Sequence, residues 1–107
     1  MAVEDVGEVV VGGQTRPIQL NLTDSRFEIQ ADGQLAVLVF RLRDTRLSLI
    51  HTEVPPSLQR QGLADALARA ALLYARGHLL SVKVICPFVA AFLARHPEFQ
   101  DLLTNEG

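Results

Sequence analysis

The feature that most constrains this chain is the proline pair at Pro55-Pro56. Neither residue has an amide hydrogen to give a strand ladder, so any strand arriving from upstream ends there. The residues on the two sides obey different periods. Arg26 to Ala31 has strand character, with Phe27 and Ile29 on one face. Asp32-Gly33 is a tight-turn signal, and Gln34 to Leu42 reads as a second strand. Its run from Leu35 to Phe40 is unbroken and apolar, which predicts burial on both faces. A charged turn at Arg43-Asp44 leads to a third strand, Arg46 to Val54. Strands joined so closely form an antiparallel meander. Upstream, Val9 to Val11 before Gly12-Gly13 and the alternating stretch Arg16 to Leu22 read as short extended pieces.

Beyond the prolines the period becomes helical. Leu63, Leu67, Ala71 and Tyr74 form one stripe in a helix from about Gln61 to Arg76. Asp65 and Arg69 stand four apart on another face, and Gly77 is the expected left-handed stop. Leu79 to Ile85 reads as a strand, and Phe88 to Arg95 as a short helix ended by His96-Pro97. The tail carries Phe99, Leu102 and Leu103, apolar residues suited to docking on the core. Strands followed by strand-helix-strand-helix make an α+β fold on a mixed sheet. At 107 residues, one domain spanning 1–107 is expected.

Charge and cysteine content exclude several functions. A net charge of -2 gives no electrostatic footprint for nucleic acid. Nine of the ten basic residues are Arg, but they are scattered, as on a solvated surface. The one cysteine, Cys86, can form no internal disulfide, and with three dispersed histidines it matches no metal spacing. No apolar run is long enough to span a bilayer. The start, Met1 to Asp5, carries two acids and lacks a secretory pattern. A cytoplasmic protein without metal, nucleic-acid or membrane partner is expected.

The segment Gln59-Arg60-Gln61-Gly62-Leu63-Ala64 opens the long helix. A helix start leaves its first amides without intrahelical partners and carries positive potential, so it attracts anions. Gly62 permits close backbone approach to a phosphate, and Ala64 keeps the next turn small. An ordinary strand-to-helix connection fits the same residues.

Here the sequence resembles a family. Gln59-x-x-Gly62-x-Ala64 matches the Gln/Arg-x-x-Gly-x-Gly/Ala signature of the GCN5-related N-acetyltransferases. The wider set His51-Thr52-Glu53-Val54-Pro55-Pro56, Cys86-Pro87-Phe88-Val89 and Arg95-His96-Pro97-Glu98 is similar to a compact, single-domain group of that family. The likeness spans about Arg26 to Leu103 and leaves 1–16 as an extra N-terminal segment. It implies a mostly antiparallel mixed sheet with two main helices. It also implies acetyl-coenzyme A as co-substrate and an amine acceptor, in a protein or a small molecule. By the same resemblance Gln59, Arg60, Gln61, Gly62, Leu63 and Ala64 cradle the pyrophosphate, chiefly through backbone amides. Val54, at the strand end, pairs with the pantetheine arm, and Phe88 joins the coenzyme-binding set. The strand leading to Cys86 splays from its neighbour, and the acetyl group sits in the gap.

Acetyl transfer to an amine needs a base within hydrogen-bond reach of the nitrogen, directly or through one water. His51 and Glu53 lie two apart on a strand and share a face, so either can serve, and burial beside an apolar cleft would raise a carboxylate's pKa. A solvated structural pair is the competing reading. Pro87 suits a first helical position, which makes Cys86 the N-cap, where a thiolate is favoured. Cys86 is therefore an acetyl-accepting nucleophile, a pocket wall, or core. Where many members of the superfamily carry a proton-donating Tyr, this chain has Phe88 and Phe92. That departure leaves a non-catalytic acyl-coenzyme A-binding module as the alternative function. A monomer or weak dimer is expected.

Overall fold

The structure is a computed structural model that describes residues 3–103. Six strands form one sheet in sequence order: β1 (Val3–Val11), β2 (Gln14–Asn21), β3 (Arg26–Ala31), β4 (Gln34–Arg43), β5 (Arg46–Glu53) and β6 (Ser81–Val84). The first five are antiparallel neighbours, and β6 joins parallel to β5. Helix α1 (Leu63–Gly77) supplies the crossover that a parallel pair requires, and α2 (Pro87–Arg95) follows β6. One turn of 3-10 helix occupies Pro56–Leu58, and two turns occupy Pro97–Leu102. The expected α+β architecture is therefore present.

The core lies between one sheet face and the two helices. Ile18, Leu20, Phe27, Ile29, Leu38, Phe40, Leu47, Leu49 and Val82 point inward at strand period. Leu63, Leu67, Ala71 and Leu72 of α1 and Val89, Phe92 and Leu93 of α2 meet them. Tyr74 closes the α1 stripe, edge-on to Phe27 at 5.9 Å and stacked on His78. Burial, and then the charge of Glu4, push its phenol above the usual range.

Several expectations change. The run Leu35 to Phe40 is not buried on both faces. Ala36, Leu38 and Phe40 are buried, but Leu35, Val37 and Val39 are only partly covered. The cause is the two-layer build, whose shortest principal extent is 19 Å. The segment 1–16 is more than an appendage, since from Val3 onward it supplies β1 and the start of β2. The expected piece Val9 to Val11 is the end of this longer strand, which a bulge interrupts between Asp5 and Gly7. Asp65 and Arg69 are not salt-bridged to each other: Arg69 lies over the Phe92 and Phe99 rings, while Asp65 takes another partner described below.

Gly77 is not the left-handed stop. Helix α1 includes it, and Leu79 takes the positive φ of 56°. The amide of Leu80 donates to the Ala75 carbonyl and that of Leu79 to Arg76, a Schellman ending. This extra length delays β6 until Ser81, whose amide reaches the Thr45 carbonyl at 2.8 Å. The tail docks as expected: Phe99 and Leu102 are buried and Leu103 bridges Val82. The remainder of the tail lies outside the described residues.

Leu79 is 87% exposed, so its side chain contributes little packing to offset its left-handed backbone. Leu79→Gly is expected to raise stability by about 0.5–1 kcal/mol after allowing for the entropy of glycine. Urea unfolding midpoints of the two proteins measure it, and a lower midpoint for the variant contradicts the strain.

Candidate active site

The site begins where β5 and β6 part. Their pairing runs only from Arg46–Ser81 to Leu49–Val84. The Leu49 carbonyl then accepts both the Ile85 and Cys86 amides, each at 2.9 Å, and the chain turns into α2 at Pro87. Strand β5 continues to Glu53, paired with β4 on one side and, among the described residues, with no strand on the other. That leaves a strand edge facing a gap.

A cavity of about 710 Å³ opens beside this edge. Its walls come from Thr52, Glu53 and Val54 of the strand end, the loop and helix start from Leu58 to Asp65 with the exception of Gln61, and Phe88, Ala91 and Arg95 of α2. The last three stand at i, i+3 and i+7, one face of the helix. The cavity thus unites one strand edge, one helix start and one helix face.

The helix start is open. Gly62 is its N-cap in the left-handed conformation, with φ 78°, and no side chain caps it. The first intrahelical bond from this cap runs from the Ala66 amide to the Gly62 carbonyl. The preceding amides therefore lack helical partners at the cavity wall. A Cβ on Gly62 would meet nothing within 4 Å, so the space beside its backbone is free. Arg60 is also left-handed, with φ 68°. Alternating backbone hands aim successive amides at a common point, as in anion-binding nests. A pyrophosphate fits this lining, since the donors are backbone dipoles and no side chain crowds the Gly62 backbone.

Side-chain hydrogen bonds hold the loop. Gln59 Nε2 donates to the Val54 carbonyl at 3.0 Å, tying both ends of the proline turn together. That carbonyl, expected to meet the pantetheine arm, already has a partner in this structure. The Gln61 Oε1 accepts the Gly12 amide at 2.9 Å. Gln34 also bonds the Ser57 hydroxyl.

Asp65 and Arg95 were not anticipated as partners. Arg95 donates through two nitrogens to both Asp65 oxygens, at 3.0 and 3.1 Å, clamping α2 to the first turn of α1. The guanidinium hydrogen bond holds the Asp65 carboxyl below the usual range, against some desolvation, and the same bond raises Arg95. Sequence spacing within one helix pointed to Arg69, whereas the actual partner lies thirty residues away on another helix.

His51 and Glu53 share a face as expected, with Nε2 and Oε1 3.8 Å apart. Both side chains are largely exposed, at 62% and 73%, and Glu53 alone of the two lines the cavity. The burial expected beside an apolar cleft is therefore not realised at Glu53. Thr52, between them, points inward and was not singled out by sequence reasoning. It is buried, lines the cavity and bonds Cys86 Sγ at 3.1 Å. Its signal was present in the alternation of strand faces. Cys86 is the N-cap of α2 and is 1% exposed, set behind Thr52 rather than on the cavity lining. Phe88 is 60% exposed at the cavity mouth. Among the described residues no cluster of three metal-ligating side chains occurs.

The family model of the GCN5-related N-acetyltransferases matches residues 26–102, which contain every wall of this cavity. The chain belongs to that family. The solution NMR structure of a GCN5-like candidate N-acetyltransferase from Staphylococcus aureus is similar to it. The two share 27% identity over 78% of this chain and 84% of the other, with a TM-score of 0.61. No curated protein matches the chain. Membership in this acetyltransferase family supports acetyl transfer as the class of reaction. Among the described residues no helix is long and apolar enough to cross a membrane.

The Asp65–Arg95 clamp has a pH signature. A carboxyl held below its unfolded value of about 3.9 contributes stability above that pH and loses it as pH falls through the folded pKa. Asp65→Asn is therefore expected to melt below the parent protein at pH 7, with the gap closing as pH drops below about 4. Melting curves across pH for the pair check this; a gap independent of pH contradicts it.

Proposed function

We propose that this acetyltransferase uses acetyl-coenzyme A and transfers the acetyl group directly to an amine, on a peptide or a small molecule. The observation carrying this reading is that an unpaired strand edge and an uncapped helix start border the same 710 Å³ cavity. An extended amide-bearing arm can add to the strand edge by backbone hydrogen bonds. A pyrophosphate attached to that arm then reaches the amides from Arg60 to Ala64. Val54, Gln59, Leu63 and Phe88 complete the coenzyme contacts in this reading.

The acceptor nitrogen attacks the thioester carbonyl, the carbon–sulfur bond breaks, and coenzyme A leaves as thiolate. Glu53 receives the amine proton, directly or through one water, with His51 beside it on the same face. Exposure favours a solvent-accessible acceptor over an enclosed one. Cys86 backs the pocket wall from behind, bonded to the lining residue Thr52. Solvent protonates the thiolate, since α2 presents Phe88 and Phe92 and Tyr74 packs on Phe27, away from the cavity lining. In this reading the protein acts in the cytoplasm. That absence of a tyrosine hydroxyl also favours a second reading, a non-catalytic module that binds acyl-coenzyme A.

Thermal unfolding with acetyl-coenzyme A, coenzyme A and ADP tests the binding site. Ligand at 100 times its dissociation constant adds about 2.7 kcal/mol, a midpoint rise on the order of 10 °C. No shift at millimolar ligand removes both readings. With binding established, Glu53→Gln is expected to lower kcat about 10²- to 10⁴-fold, whereas Cys86→Ala stays within a few-fold. Loss of turnover in Cys86→Ala assigns a covalent role instead. Tight binding without transfer to any amine in a broad panel selects the second reading.

A further inference from the structure

We propose that the N-terminal β1–β2 hairpin is a working part of the coenzyme site, with the Gln61 side chain as the positioning residue that fixes the anion-binding loop. This rests on the reading of that loop as the pyrophosphate seat.

The loop needs holding. Gln61 stands between two left-handed residues, Arg60 at φ 68° and Gly62 at φ 78°. A non-glycine residue keeps such a conformation only where its surroundings over-determine it. On the proline side, the Gln59 bonds to Val54 and Pro56 supply restraint. On the other flank a second cavity of about 460 Å³ separates the hairpin from the helix start, between Val6, Gly7 and Glu8 on one wall and Gly62, Asp65 and Ala66 on the other. Close packing therefore does not restrain the loop on that flank. The Gly12 amide reaches Gln61 Oε1 there at 2.9 Å, across 49 residues of chain.

The hairpin tip is built to make this contact. Gly12 and Gly13 both have positive φ, 57° and 81°, the pattern of a two-residue primed turn. In such a turn the closing bond uses the amide of Gln14, so the Gly12 amide has no partner within the turn. It is an outward-facing donor on a paired hairpin whose first strand contacts α1. The hairpin lies before residue 26, outside the part shared with the family. The loop comes with the family domain, and the brace comes from this chain's added strands.

The test compares the full chain with Gln61→Met, which keeps the side-chain length and loses the acceptor. Coenzyme A affinity is read by titration calorimetry, and the melting temperature of each protein is read without ligand. The expected result is a dissociation constant raised about five- to ten-fold, the worth of one neutral hydrogen bond, with the ligand-free melting temperature unchanged within about 1 °C. Equal affinity in the two proteins overturns the brace while leaving the coenzyme site intact. Weaker binding accompanied by a ligand-free melting temperature several degrees lower also overturns it, because Gln61 then supports the fold rather than the loop. Absence of coenzyme A binding in the unmodified chain removes the pyrophosphate reading, and this proposal with it.

Discussion

The double hydrogen bond at the Leu49 carbonyl governs the layout of the functional end of this molecule. Up to that residue β5 and β6 are ordinary parallel partners. At it, two successive amides, from Ile85 and Cys86, converge on one oxygen, and the ladder does not continue. Pro87 follows with no amide to offer, and its fixed φ suits the first turn of a helix. The chain leaves the sheet, and four more residues of β5 run on beside a gap. Backbone donors and acceptors on that edge are then available to something other than protein.

The rest of the site is arranged around this gap by elements that the prolines and glycines terminate. Pro55-Pro56 ends β5 at the cavity, and the chain makes one tight turn closed by Gln59 before α1 begins. Gly62 starts that helix uncapped, so its positive end faces the cavity rather than a side-chain oxygen. The opposite wall is α2, held against the start of α1 by the Asp65–Arg95 clamp. Because Asp65 is matched by Arg95, its carboxylate is compensated at the very helix end where an anion would sit. The cavity lining carries Arg60 and Arg95 against Glu53 and Asp65, so charge of one sign does not dominate it. Oriented backbone dipoles at the start of α1 add positive potential there.

The two-layer build bears on how open this site is. One face of the sheet packs on both helices, and the other leaves Leu35, Val37 and Val39 half-covered. His51 and Glu53 are correspondingly well exposed at the strand end. A structure 19 Å thick has little depth in which to enclose an acceptor, and an accessible strand end suits a substrate approaching from solvent.

Much of this was legible in sequence wherever the determinant was local. Asp32-Gly33 marked its hairpin because two adjacent residues needed positive φ, and both have it. The stripe Leu63, Leu67, Ala71 marked the buried side of α1, and Gln59-x-x-Gly62-x-Ala64 marked the loop and its family. Alternation placed His51 and Glu53 together on one face. What failed was whatever depended on residues remote in the chain. Gly77 has the composition of a helix stop, yet the entry of Ser81 into the sheet beside Thr45 moved the left-handed residue to Leu79. Asp65 had a suitable partner four residues on, but a bidentate guanidinium from α2 took it, because tertiary packing brought a better geometry within reach. The contact of Gly12 with Gln61 had no signature in either segment. Sequence by itself determined most of the elements, the buried stripe of α1 and the family signature of the loop, since periodicity and backbone restriction act over a few residues. Tertiary structure alone decided where β5 and β6 part, which charges pair and which amide meets Gln61, since those depend on the spatial meeting of segments tens of residues apart.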